Sequence, residues 1–177
     1  MPYSIVGYFD PETDSFIRSI WKDLADNDIC NYLYCSENNP HIKFSMYTEL
    51  DLEKAEPLLI KFARERNRLD VHLKNYGFYP NERPILFLDF SATIPLIQLE
   101  IDIQKTFNGL GKNFDFNFFD ENIWKPDCFL TIEIDREKLK KGVMILLNKP
   151  VQFNGTLDRL GIVEFPPAKQ IASFKLC

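Results

Sequence analysis

The chain has 177 residues, with 21 Lys plus Arg against 26 Asp plus Glu, a formal net charge of −5, and 45% hydrophobic against 27% charged residues. That balance excludes a disordered or low-complexity chain, and a length of this order buries about 70% of the surface an unfolded chain exposes, enough to fold without staples. The acidic excess excludes long-range attraction to nucleic acid as the main source of affinity, because phosphate binding rests on clustered Lys and Arg. A local positive pocket stays open.

The first residues carry no basic leader and reach Asp10 too soon for a signal peptide. No apolar run approaches the roughly 20 residues that span a bilayer, since Asp89 interrupts one stretch and Glu100 and Asp102 the next. A cytoplasmic monomer with no membrane partner is expected. Cys30, Cys35, Cys128 and Cys177 are too scattered for a disulfide scaffold and lack metal-ligand spacing, so they read as reduced thiols.

In chain order, Tyr3 to Phe9 is rich in β-branched and aromatic residues and reads as a strand, with Asp10 as helix cap and Pro11 at the first helical position. Phe16, Ile20 and Leu24 recur every four residues, predicting a helix over 11–25. Residues 27–40 read as loop. From His41 the chain alternates, which places His41, Lys43, Ser45 and Tyr47 on one face and Ile42, Phe44 and Met46 on the other. Ala55, Leu58, Leu59 and Phe62 mark a helix over about 51–67, followed by strands over 71–79 and 84–90.

A second pass of the same elements starts at Thr93. Leu96, Leu99, Ile103 and Phe107 mark a helix opened by Pro95. After a loop over 111–125, Asp127, Phe129, Thr131 and Glu133 alternate with Cys128, Leu130, Ile132 and Ile134 as a strand. Leu139, Val143, Leu146 and Leu147 then mark a helix, and strands follow near 151–157, 160–164 and 171–175. Gly77 follows His41, and Gly161 follows Asp127, at nearly equal distances. This predicts pseudo-repeats over about 41–90 and 127–176 in one bilobal domain spanning 1–177. The expected fold class is α+β, a duplicated bilobal fold with two antiparallel sheets lining a central cleft and helices on the outer faces.

Phe9-Asp10, Pro40-His41-Ile42, Trp124-Lys125-Pro126-Asp127-Cys128 and Gly161-Ile162-Val163-Glu164-Phe165 resemble the two-histidine phosphoesterase superfamily, in its 2′-5′ RNA ligase and RNA cyclic phosphodiesterase branch. The resemblance implies a His-x-Thr or His-x-Ser motif from each lobe, with no metal or cofactor. One imidazole takes a proton and the other gives one, while the hydroxyls hold phosphate oxygens.

His41 matches the first histidine. Lys43 stands at the first hydroxyl, Asp127 at the second histidine and Phe129 at the second hydroxyl; a shifted alignment recovers a hydroxyl at Thr131 but no imidazole. By this resemblance His41 and Asp127 are the candidate catalytic residues, and Lys43, Ser45, Phe129, Thr131 and Trp124 the candidate substrate-binding ones. Two readings stay open. In one the site is degenerate and holds a nucleotide or RNA end with weak or no turnover. In the other Asp127, His41 and Lys43 form a reworked phosphodiesterase site.

Outside that set, His72 reads as a surface residue and Gly109 to Lys112 as a turn, not a phosphate loop. Phe114, Phe116, Phe118 and Phe119 suit a short hairpin or, alternatively, a lid over the cleft. Arg136, Lys138, Lys140 and Lys141 read as a solvated helix face.

Overall fold

The computed structural model describes residues 1–114, 124–150 and 153–177. Asp10 caps α1 (Pro11–Asp26) after β1 (Tyr3–Phe9), its carboxylate accepting from the backbone N–H groups of Glu12 and Thr13. The same carboxylate accepts from the Thr156 amide at 2.6 Å, so the cap also ties the helix to a distant strand. The loop that follows contains one short helix that the composition conceals, α2 (Tyr32–Cys35). Next come β2 (His41–Leu50), α3 (Leu52–Arg64), β3 (Leu69–Tyr79), β4 (Ile85–Phe90), α4 (Ile94–Phe107) and β5 (Gly111–Asn113). The chain ends with β6 (Asp127–Phe129), α5 (Arg136–Leu146), β7 (Phe153–Glu164) and β8 (Lys169–Lys175). The loop expected over 111–125 thus opens with a strand, and the hairpin or lid expected of Phe116, Phe118 and Phe119 lies outside the described residues.

The described strands form one antiparallel sheet in the order β5-β2-β1-β7-β3-β4-β6, with β8 paired to β7. Two separate sheets were the expectation; β7 joins the two halves because residues 157–164 pair with β1 and residues 153–157 with β3. Periodicity reports which residues share a face, but not whether a strand's ladder continues into the next half.

Exchanging β1 with β4, β2 with β6 and β3 with β7 reverses the row β2-β1-β7-β3-β4-β6, so every strand keeps equivalent neighbours. The register obeys the same exchange: Leu69 pairs with Leu157, Leu73 with Phe153, and Val71 faces Gly155 at the centre. Phe9 and Phe90, the last residues of β1 and β4, stack at 5.2 Å with planes 16° apart. The main core contains Ile5 and Phe9 together with apolar residues of every helix, among them Trp21, Leu33, Leu59, Ile103 and Leu146. Val6 and Tyr8, on the other face of β1, pack separately with Val163 and Ala168. β2, which lies inside the edge strand β5, approaches β6 at the other end of the row, and the sheet thereby closes around a hollow that Trp21 of α1 and Tyr32 and Leu33 of α2 also line.

Candidate functional site

β2 supplies His41 and Lys43 to the hollow, but its alternation breaks immediately afterwards. Val6 faces Lys43 and Ile5 faces Ser45, which leaves Phe44 as an extra residue in the ladder. A bulge of this kind inverts the facing of all later residues. Met46, not Ser45, therefore joins His41 and Lys43 on the cavity wall. Ser45, expected on that wall, is only 2% exposed and its carbonyl accepts from the Ser4 hydroxyl at 2.7 Å.

The His41 ring is fixed locally. Its Nδ1 lies 2.6 Å from the Asn39 carbonyl oxygen, and a carbonyl only accepts, so the ring proton sits on Nδ1 and Nε2 is left as an acceptor. Burial pulls the imidazole down to about 4, against the Asn39 carbonyl and with the Lys43 ammonium adding to the effect. His41 is thus neutral at physiological pH. The Tyr8 ring meets it edge-on at 6.1 Å between centroids.

β6 places Asp127 and Phe129 on one face, opposite β4, where Asp89 pairs with Asp127. Lys43 Nζ lies 3.3 Å from the centroid of the Phe129 ring. The Asp127 carboxylate accepts from the Tyr79 hydroxyl. Lys125 Nζ lies 3.7 Å from both Asp127 Oδ2 and Asp89 Oδ1, and 3.4 Å above the Phe87 ring. Burial raises the Asp127 carboxyl above the ordinary carboxylate range, against the pull of Tyr79, Lys43 and Lys125 and with Asp89 adding to the rise.

β6 is shorter than its alternating sequence predicts. After Phe129 the amides of Leu130 and Thr131 both bond to the Leu86 carbonyl, and the Thr131 hydroxyl accepts from the Leu86 amide at 2.9 Å. Thr131, a candidate phosphate contact in the shifted alignment, is instead fully buried and occupied with the start of β4. Trp124 donates from Nε1 to the Lys43 carbonyl at 3.0 Å and stacks on Phe44, joining the segment before β6 to β2.

A cavity of about 410 Å³ lies against the β2 face. His41, Lys43, Cys128 and Phe129 line it, with Trp21, Met46 and other apolar side chains; Asp127, Trp124, Ser45 and Thr131 do not. Of the seven candidates, the structure therefore brings His41, Lys43 and Phe129 to one hollow. It holds Asp127, 7% exposed, beside Lys43 in a cluster with Tyr79, Lys125 and Asp89. Tyr79, Lys125 and Asp89 were missed because their involvement depends on β4 lying beside β6, which no local pattern encodes. The one available signal was Lys125, inside the Trp124 to Cys128 segment. His72 is exposed and bonds Asn154 at 2.8 Å, away from the cavity lining.

No protein-family description matches the sequence, and neither does any curated protein. Solved structures match in three dimensions. LigT of E. coli complexed with 3′-AMP superposes with a TM-score of 0.63 at 14% identity, over 99% of this chain and 99% of that one. A phosphoesterase gives 0.64 at 14% identity, over 98% and 97%. TT0787 of Thermus thermophilus gives 0.60 at 14% identity, over 99% and 98%. Further LigT structures are complexes with phosphate, NADP+ and ATP. The chain has the α+β fold of LigT and of the phosphoesterase, the fold that the two-histidine resemblance implies. No helix among the described residues is long and apolar enough to cross a membrane.

Proposed function

We propose that this is a 2′-5′ RNA ligase-like protein whose cleft holds a nucleotide or RNA end by its phosphate, with weak or no turnover. The observation that carries the reading is the occupation of the second motif. Asp127 stands where the partner imidazole belongs and is engaged by Tyr79 and Lys125, and Phe129 stands where the hydroxyl belongs and is covered by Lys43. A missing acid or base costs roughly 100- to 10,000-fold in rate. Lys43 supplies the charge for a phosphate oxygen, the Phe129 ring borders the ligand, and the nucleotide complexes of LigT support the ligand class.

The reading treats the chain as one bilobal domain with pseudo-repeats over about 41–90 and 127–176; the exchange pattern of the sheet supports it. It takes the protein as a cytoplasmic monomer whose partner is a nucleotide or RNA end, a setting that the four free cysteines suit.

A second reading, an active phosphodiesterase, is favoured by the two titrating groups together. His41 Nε2 would take a proton from water as its oxygen attacks phosphorus. Asp127, its carboxyl raised toward the protonated form, would give a proton to the leaving ribose oxygen as the P–O bond breaks.

Titration with 3′-AMP and hydrolysis of a 2′,3′-cyclic nucleotide separate the two. Saturable binding that Lys43→Met abolishes, without hydrolysis, is the expected result. Hydrolysis lost in both His41→Ala and Asp127→Asn establishes the second reading, and absence of binding together with absence of hydrolysis overturns both.

A further inference from the structure

The cavity beside His41 has a character that phosphate anchoring leaves unused. Its 410 Å³ is of the size that encloses a small organic ligand, and Trp21, Leu33, Met46, Ile132 and Val163 make most of its wall apolar. Lys43 contributes the one ammonium group of that wall among the described residues. Among the described residues it forms no ion pair with a carboxylate, its Nζ resting instead on the Phe129 ring at 3.3 Å. His41, two residues earlier on the same strand face, lines the same cavity with Nε2 as an acceptor. An amine in an apolar enclosure beside a neutral imidazole is the arrangement of a lysine nucleophile, because desolvation favours the uncharged form that carries the reactive electron pair.

The geometry points to Lys43 as a nucleophilic amine that condenses with apolar aldehydes or ketones admitted to this cavity. The nitrogen adds to the carbonyl carbon, forming the C–N bond as the C=O pair moves to oxygen. One amine proton passes to His41 Nε2 and on to that oxygen as the carbinolamine forms; the second follows the same route, and water leaves as the C=N bond forms. No oxidant or reductant enters, and hydrolysis reverses the step. This activity stands independently of the phosphate reading, since it uses the amine as a nucleophile and not as a charge.

The protonation of Lys43 is consistent with that role. Burial pulls the ammonium down to about 8, against Asp127 and Cys128 on β6. The other titratable groups on the cavity wall are His41 on the same strand and Tyr32 on α2; β1, β7 and the segment before β8 contribute Ser4, Val163 and Ala168, which do not titrate.

The test is reductive trapping: the protein is incubated at pH 8 with benzaldehyde and sodium cyanoborohydride, digested, and each lysine scored by mass spectrometry. The neutral fraction of Lys43 at that pH exceeds that of an ordinary lysine roughly 100-fold, so modification at least ~10-fold faster than at exposed Lys22 and Lys54 is expected, allowing for lower intrinsic nucleophilicity. The rate at Lys43 should level off above about pH 8. In Lys43→Arg the fast adduct should vanish while the slow ones remain; should that variant misfold, the Lys43 to Lys22 ratio in the parent protein decides alone. Equal rates at Lys43, Lys22 and Lys54, or a fast adduct that persists in folded Lys43→Arg, overturn the proposal. Selective trapping in a protein that does not bind 3′-AMP would remove the phosphate reading and leave this one standing.

Discussion

Lys43 and Phe129, at equivalent offsets in the two motif strands, engage each other directly, the ammonium 3.3 Å from the ring centroid. Each stands where the family resemblance expects a hydroxyl. A cation over an aromatic face is worth ~0.5–2 kcal/mol, more when desolvated. Replacing either side chain alone therefore leaves the other without its partner.

That coupling determines how catalysis should respond to repair. Asp127→His combined with Phe129→Thr returns the second imidazole and hydroxyl to β6. Hydrolysis of a 2′,3′-cyclic nucleotide by this double variant is expected to exceed the parent rate by at least ~100-fold, the value of one general acid or base. Asp127→His by itself should give less, because Phe129 still covers Lys43. An initial-rate assay on the three proteins checks the order; a double variant no faster than the parent would mean that the missing side chains are not what limits turnover.

His41 links the site to pH. Its folded-state value of about 4 lies below the ordinary 6.5, so between those values the folded chain binds fewer protons than the unfolded one. Stability then falls as pH drops from about 6.5 toward 4 and is unaffected by this group above that window. Histidine ring resonances followed by NMR should show His41 neutral at pH 5.5, a result that a normally titrating imidazole would not give.

Asp127 has the opposite sign. Its carboxyl titrates above the ordinary 3.8, so the folded chain holds its proton more tightly, and the charged form costs stability as pH rises through the folded value. Asp127→Asn removes that cost, keeps an acceptor for the Tyr79 hydroxyl, and leaves Lys125 its pairing with Asp89. Thermal melting at pH 7.5 should show a Tm rise of about 2–4 °C, equivalent to about 1 kcal/mol in a chain of this size. A fall would show that the Lys125 pairing outweighs the burial of the charge.

The four thiols should separate by reactivity. Cys128 is 1% exposed and burial pushes its thiol up to about 12, while Cys35 and Cys177 are exposed and Cys30 is intermediate. Thiolate formation governs alkylation. With iodoacetamide at pH 8, Cys35 and Cys177 should react first and Cys128 only after unfolding. Early labelling of Cys128 would contradict its burial on β6.

Local chemistry made much of this molecule legible in the sequence. Asp10 with Pro11 starts α1 because capping and a fixed φ act within a few residues, and the recurrence of Phe16, Ile20 and Leu24 follows from the pitch of a helix. The common facing of His41 and Lys43 follows from the two-residue period of a strand. What only the tertiary structure decided depends on pairing between distant segments. The extra residue at Phe44 exists only relative to β1, and it moves Ser45 away from the hollow and Met46 toward it. Thr131 serves β4, and Tyr79 and Lys125 hold Asp127, because β6 lies beside β4. The sheet is single because β7 pairs with both β1 and β3. Helix caps and periodicities are properties of neighbouring residues, whereas register, bulges and the partners of a buried charge are set by which strand comes to lie against which, and that choice is a minimum of the whole fold's free energy.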